Sequence, residues 1–140
     1  PGNASITFGD ATWNAGDIDV TETKKFSLIG FSFAKEDLRK FPLVILTSTN
    51  TTGTHVFVDR INEEQRFCEY FETVPQSNEN LDGEWMAQEG KIEITEFADD
   101  KISGKVEMTM YDTREVDNEE GKIPSTRQLL IVFNQLNVLN

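Results

Sequence analysis

The amino-acid sequence predicts an all-β domain with antiparallel sheets. Three observations carry this. The dominant hydrophobic period is two. The segments that show it are short and bounded by turn residues. No gap between them holds a helix-sized crossover of the kind a parallel sheet requires.

The clearest element is the run Ile102 to Met110. Ile102, Val106, Met108 and Met110 fall on one face, with Gly104 between them, while Lys105, Glu107 and Thr109 fall on the other. Lys91 to Thr95 alternates in the same way, and Ala98-Asp99-Asp100-Lys101 is a polar turn between the two runs. The spacing predicts a hairpin over Lys91–Met110, with Ile92, Ile94, Val106 and Met108 buried and Glu107 exposed.

The remaining strands follow in order. Ser5 to Phe8 and Ala11 to Trp13 flank Gly9-Asp10. Ile18 to Thr23 is short and rich in β-branched residues. Phe26 to Phe33 is strongly apolar, with Gly30 marking a bulge or a close approach. Leu43 to Thr47 is a continuous apolar run. Thr54 to Val58 and Phe67 to Val74 are expected to pair across residues 59–66, and Glu84 to Ala87 forms a short strand of its own. Gln128 to Phe133 is continuously apolar from Leu129 on, so both of its faces are expected to be covered.

Only residues 35–41 read as a short helical turn, with Leu38 and Phe41 three apart and Pro42 stopping it. The polar stretches 76–82 and 112–125 read as loops. The spacing of about nine or ten strands fits a sandwich or a barrel, and the meander-like order with short turns favours a lipocalin-like barrel, with the β-sandwich as the alternative. The chain, residues 1–140, reads as one domain with neither a linker nor a repeat.

The formal net charge is -12, and residues 71–140 hold 15 of the 25 acids. Such a charge repels phosphate backbones and anionic lipid surfaces, so nucleic-acid binding is disfavoured. Ten Phe against two Trp and two Tyr point to core volume rather than to binding chemistry. Cys68 is the only cysteine, so no internal disulfide forms, and its alternating neighbours make it a small core residue. The longest apolar run, Leu129 to Phe133, is far too short to span a membrane as a helix.

The chemistry-bearing residues form no recognisable constellation. His55 is the only histidine, which argues against both a zinc site and a catalytic triad. The acidic stretch Asp112 to Gly121 is rich in oxygens, but the EF-hand register would put Val116 at its first ligand position, so a solvated loop is the expectation. Glu93 and Glu107 face each other across the predicted hairpin on its polar side, where carboxylates keep ordinary acidity. No phosphate-cradling glycine motif is present. Asn3-Ala4-Ser5 and Asn50-Thr51-Thr52 match the glycosylation sequon. Gly83-Glu84-Trp85 matches the short Gly-x-Trp pattern of many lipocalins; Trp85 is expected to plug a barrel end or pack at a sheet corner, with sugar stacking a secondary role. No cofactor, metal site or catalytic residue is assigned.

Two stretches resemble small Bacteroidetes envelope proteins, which are secreted or lipid-anchored domains of unknown function. Asp10-Ala11-Thr12-Trp13-Asn14-Ala15 resembles their opening. Gly90 to Phe97 followed by Lys101 to Val106 resembles their recurrent hairpin, in which an Ile-x-Ile-Thr strand leads to an Ile-Ser-Gly strand. The chain departs from that pattern at Lys105 and Glu107, where small or apolar residues are usual. The resemblance implies an exported β protein, secreted or anchored at the outer membrane or cell surface, and brings no catalytic residues with it. The first residues, Pro1-Gly2-Asn3, carry no Met, as in a trimmed product; a signal peptide and a lipidated Cys upstream of Pro1 are the corresponding expectation. The function expected is that of a non-catalytic, envelope-exposed binding or accessory domain, whose ligand is a small molecule, a glycan or a protein. The alternatives are a carboxylate-dependent hydrolase and a structural module that pairs through a sheet edge.

Overall fold

Alternation of apolar and polar side chains makes each strand two-faced, and a sheet of such strands must find something to cover its apolar side. The computed structural model describes residues 2–57, 68–72, 84–113 and 125–139, and in them the sheet covers that side with itself. The strands are β1 (Asn3–Phe8), β2 (Ala11–Asn14), β3 (Asp17–Thr23), β4 (Leu28–Ala34), β5 (Leu43–Thr49), β6 (Gly53–Phe57), β7 (Cys68–Phe71), β8 (Glu84–Ala98), β9 (Lys101–Asp112) and β10 (Thr126–Asn137). They form one antiparallel sheet in the order β2-β1-β10-β9-β8-β7-β5-β4-β3, with β6 also paired to β8.

The curl of this sheet is measured by its own side chains. β4 and β10 lie five positions apart in the sheet, which would separate them by about 24 Å if it were flat. The rings of Phe31 and Phe133 nevertheless lie 5.1 Å apart. Phe8 on β1 and Tyr70 on β7, four positions apart, stack at 3.9 Å. The two ends of the sheet are also tied by backbone. Ala15 N–H donates to Ala4 O on β1, and Gly16 N–H donates to Ala34 O on β4. Beyond β10, Leu139 exchanges hydrogen bonds of 2.8 and 2.9 Å with Glu22 and Val20 on β3. The result is an all-β, lipocalin-like curled sheet.

The hairpin of β8 and β9 forms as expected and has the expected faces. Ile92 pairs with Val106 and Gly90 with Met108, and Ile92, Ile94, Val106 and Met108 are buried while Glu107 is exposed. Gly104 faces inward between Glu93 and Phe133. A Cβ there would land on the Glu93 carbonyl and 2.9 Å from the Phe133 ring, so only glycine leaves the ring its place.

Five expectations are corrected. Glu84–Ala87 is not a separate strand but the start of β8; bulges between Ala87 and Glu89 and between Ile94 and Glu96 shift its phase, so that Trp85 and Ala87 face inward before the first and Ile92 and Ile94 after it. β6 and β7 do not pair with each other. Both lie along the same edge of β8, β6 against Gly90–Ile94 and β7 against Glu84–Met86. Gly30 is no bulge, because the pairing of β4 with β3 and β5 runs through it without a break. The helical turn is at Lys24–Phe26 rather than at residues 35–41. In that segment the Asp37 carboxylate accepts the Arg39 N–H and the Asp17 carboxylate accepts the Leu38 N–H, and these side chains take over bonds that a helix would make with its own carbonyls.

The fifth correction concerns β10. It is interior in the sheet, between β1 and β9, but only one of its faces is covered. Leu129, Ile131 and Phe133 are buried, whereas Leu130 is 39% and Val132 41% exposed. Its central place satisfies the backbone on both sides without putting a second layer over the outer face. Further along, a bulge between Phe133 and Leu136 shifts the phase, and Leu136 and Val138 point inward. The stretch 76–82 and most of 112–125 lie outside the described residues.

Two predictions follow from this geometry. Ile131→Ala should lower the unfolding free energy by about 2–5 kcal/mol, as core truncations do, whereas Leu130→Ala should stay within about 1 kcal/mol; urea denaturation of both variants tests the assignment of faces. The β8–β9 turn holds Asp99 and Asp100 at φ 55° and 58°, a left-handed pair that glycine tolerates better. Replacing the pair by Asn-Gly (Asp99→Asn with Asp100→Gly) should raise stability by about 0.5–1 kcal/mol in the same assay.

Candidate functional site

The inside of the sheet is filled. Phe31, Phe33, Phe133, Ile6, Leu46 and Met110 are each at most 1% exposed and belong to one continuous apolar cluster. At the end of the barrel where β1 stops and β10 starts, a second aromatic group closes it. Phe8 packs edge-on to Trp85 at 5.1 Å, and the Trp13 indole N–H donates to the Tyr70 hydroxyl at 3.1 Å. The Arg127 guanidinium lies 4.7 Å from the Trp85 ring centre and 5.6 Å from that of Phe8, and donates to Glu72 at 2.9 Å. A cation held over two rings and tied to a carboxylate caps the apolar end while remaining half in water.

This placement settles the roles of several residues. Trp85 does sit at a barrel end, as expected. Both Trp13 and Trp85 are buried, so neither presents a ring for stacking on a sugar. Cys68 is fully buried in β7, and burial, with the neighbouring Glu69 charge adding to it, pushes its thiol far above its ordinary acidity range. His55 Nε2 is engaged with the Thr51 carbonyl at 2.7 Å. The amide of Asn50 donates to Glu22, and Asn3 accepts from Asn134. Of the acidic stretch Asp112 to Gly121, only Asp112 and Thr113 lie within the described residues, Asp112 being buried. Among the described residues no three His, Cys, Asp or Glu side chains are grouped as a metal would need, and no helix is long and apolar enough to cross a membrane.

The outer face of β6, β8, β9 and β10 has more character. Glu93 and Glu107 do not stand opposite each other there: Glu93 pairs with Lys105 and Glu107 with Lys91. The sequence places both acids on the polar face, but the register that sets their partners depends on the turn and on the bulge between Ile94 and Glu96. Lys105 Nζ lies 3.4 Å and Lys91 Nζ 3.9 Å from the Glu107 carboxylate, with all three side chains between 42% and 47% exposed. Such pairs are worth at most about 1 kcal/mol each, so they dress the surface more than they hold the fold. Around them stand three exposed aliphatic side chains, Val56, Leu130 and Val132. Beside Val56 and Lys91 the face dips into a hollow of about 410 Å³ that reaches Thr109 and Gln128. Gly90, at φ 153°, supplies part of its floor; any side chain there would run into the Glu107 carbonyl. A smaller hollow of about 200 Å³ lies over Gly30 on the outside of β3, β4 and β5.

Among the described residues, these observations define a curled, lipocalin-like antiparallel sheet with a packed apolar inside and two hollows on its outer face. Comparison with family models, with curated proteins and with solved structures finds no match for this chain.

The buried Cys68 and Tyr70 generate a prediction about pH. Burial raises the pKa of both groups, and for Tyr70 the Trp13 hydrogen bond only partly offsets it. The unfolded chain therefore releases these protons first as pH rises, so stability is complete at neutral pH and falls above about pH 8.5, where an exposed thiol ionises, and further above about pH 10. Urea midpoints measured across this range should fall, and the fall between about pH 8 and 10 should be smaller in Cys68→Ala. An equal fall in both proteins would remove Cys68 from the account.

Proposed function

We propose that this chain is a non-catalytic binding or accessory domain, displayed at the cell envelope, that engages a protein partner through the outer face of β6, β8, β9 and β10. The observation that carries this reading is the division between a filled interior and an outer face with exposed aliphatic side chains. A small apolar ligand held inside a barrel needs space that Phe31, Phe33 and Phe133 occupy. Glycan binding draws on exposed aromatic rings, and among the described residues the large exposed hydrophobics are Phe26, Val56, Leu130, Val132 and Leu139, with Phe26 the one ring. Aliphatic side chains between balanced charges suit a protein surface. Glu93 and Glu107 each stand opposite a lysine in the open, which gives carboxylate catalysis no support. Display at the envelope rests on the resemblance of the Gly90–Val106 hairpin and of Asp10–Ala15.

The test uses a photo-crosslinking residue placed at Val132 or, as a control outside these four strands, at Thr21 on β3, in cells that make the protein. A discrete protein adduct from position 132 and none from position 21 is expected, and protease added to intact cells should degrade the chain. No adduct at position 132, or equal adducts at both positions, overturns the outer-face reading.

A further inference from the structure

Strand register arranges the outer face of β6, β8, β9 and β10 in rows. One row runs Val56, Lys91, Glu107, Leu130, and the next runs Thr54, Glu93, Lys105, Val132. The four charged residues form a square with like charges on its diagonals. Each row has an uncharged side chain at either end, and three of those four are aliphatic.

This pattern is complementary to itself. Consider a two-fold axis lying between two molecules, parallel to the seam of β8 and β9. It exchanges β8 with β9 and β6 with β10. Lys91 of one copy then lies over Glu107 of the other, and Glu93 over Lys105. Val56 lies over Leu130, and Thr54 over Val132. Every charge meets its opposite, the aliphatic ends of the first row meet each other, and Thr54 meets Val132. We infer that this face is the docking surface for a second copy of this chain, in an isologous pair. The inference deepens the outer-face reading and rests on it, naming the partner.

Charge makes the choice of face specific. The chain carries a formal net charge of -12, so two copies repel in most orientations. The square holds two lysines and two glutamates and is locally neutral. At physiological ionic strength the Debye length is about 8 Å, so the charges across the contact count for more than distant ones. A face four strands wide and two rows deep covers roughly 260 Å² on each copy, less than a permanent complex buries, so the pair is weak and forms at high local concentration.

Sedimentation equilibrium of the intact chain, from about 0.05 to 2 mM, reads the pairing directly. The weight-average mass should climb towards twice that of the chain. A variant with only acids in the square (Lys91→Glu with Lys105→Glu) and one with only bases (Glu93→Lys with Glu107→Lys) should each weaken self-association at least about tenfold. Mixed in equal amounts, the two should associate at least as tightly as the wild type. All four positions are on the outer face, and far-ultraviolet circular dichroism confirms that each variant is folded. Leu130→Asn, which leaves the square intact, should also weaken the wild-type pair. A wild type that stays monomeric to the top of the range overturns the inference, as do charge variants that pair like wild type or a mixture no tighter than its components. If the chain is monomeric while position 132 crosslinks to a different protein, the second copy is excluded and the outer-face reading stands.

Discussion

Everything in this fold depends on three phenyl rings meeting across the barrel. Phe31 and Phe33 come from β4 and Phe133 from β10, with ring centres 5.1 to 6.3 Å apart. They can meet only if the sheet bends through the strands between them, and the missing side chain at Gly104 leaves the space that the Phe133 ring takes. Once the rings are in contact, the ends of the sheet lie close enough for Ala15, Gly16 and Leu139 to bond across the gap. The same packing fills the interior. A curled sheet packed with its own large side chains has a core where a ligand-binding barrel would have a chamber.

How much of this was legible in the sequence depended on whether a strand kept one phase. β9 keeps strict alternation from Ile102 to Met110, and it was read correctly to the residue face. β8 changes phase at both of its bulges, so its first third looked like a separate short strand. Pairing that skips a neighbour is harder still. β6 and β7 look like the arms of a hairpin, but the length of β8 gives each its own stretch of partner backbone. Period and composition hold no information on which of several similar edges a strand will join.

β10 shows a different limit. Five consecutive apolar residues look the same in sequence whether their second face is covered by another layer or left in water. Here it is left in water, and Leu130 and Val132 are part of the outer surface. The candidate site was therefore only half visible. The alternation of Lys91, Glu93, Lys105 and Glu107 puts them on the polar face of the hairpin, but their pairing is set by the two-residue turn at Asp99 and Asp100 together with the bulge between Ile94 and Glu96. The aliphatic flanks come from strands whose positions beside the hairpin no local pattern records.

The pairing of β1 with β10 has a consequence in time. Asn3 lies opposite Asn134, and Phe8 lies opposite Leu129, so the earliest strand is completed by the latest. During synthesis β1 and β2 can form their small hairpin at once, but Ile6 and Phe8 have no core to enter until residues 126–137 have left the ribosome. Until then the nascent chain exposes a strand edge and several phenyl side chains, the features that recruit holding chaperones. A fold whose last strand completes its first cannot finish early.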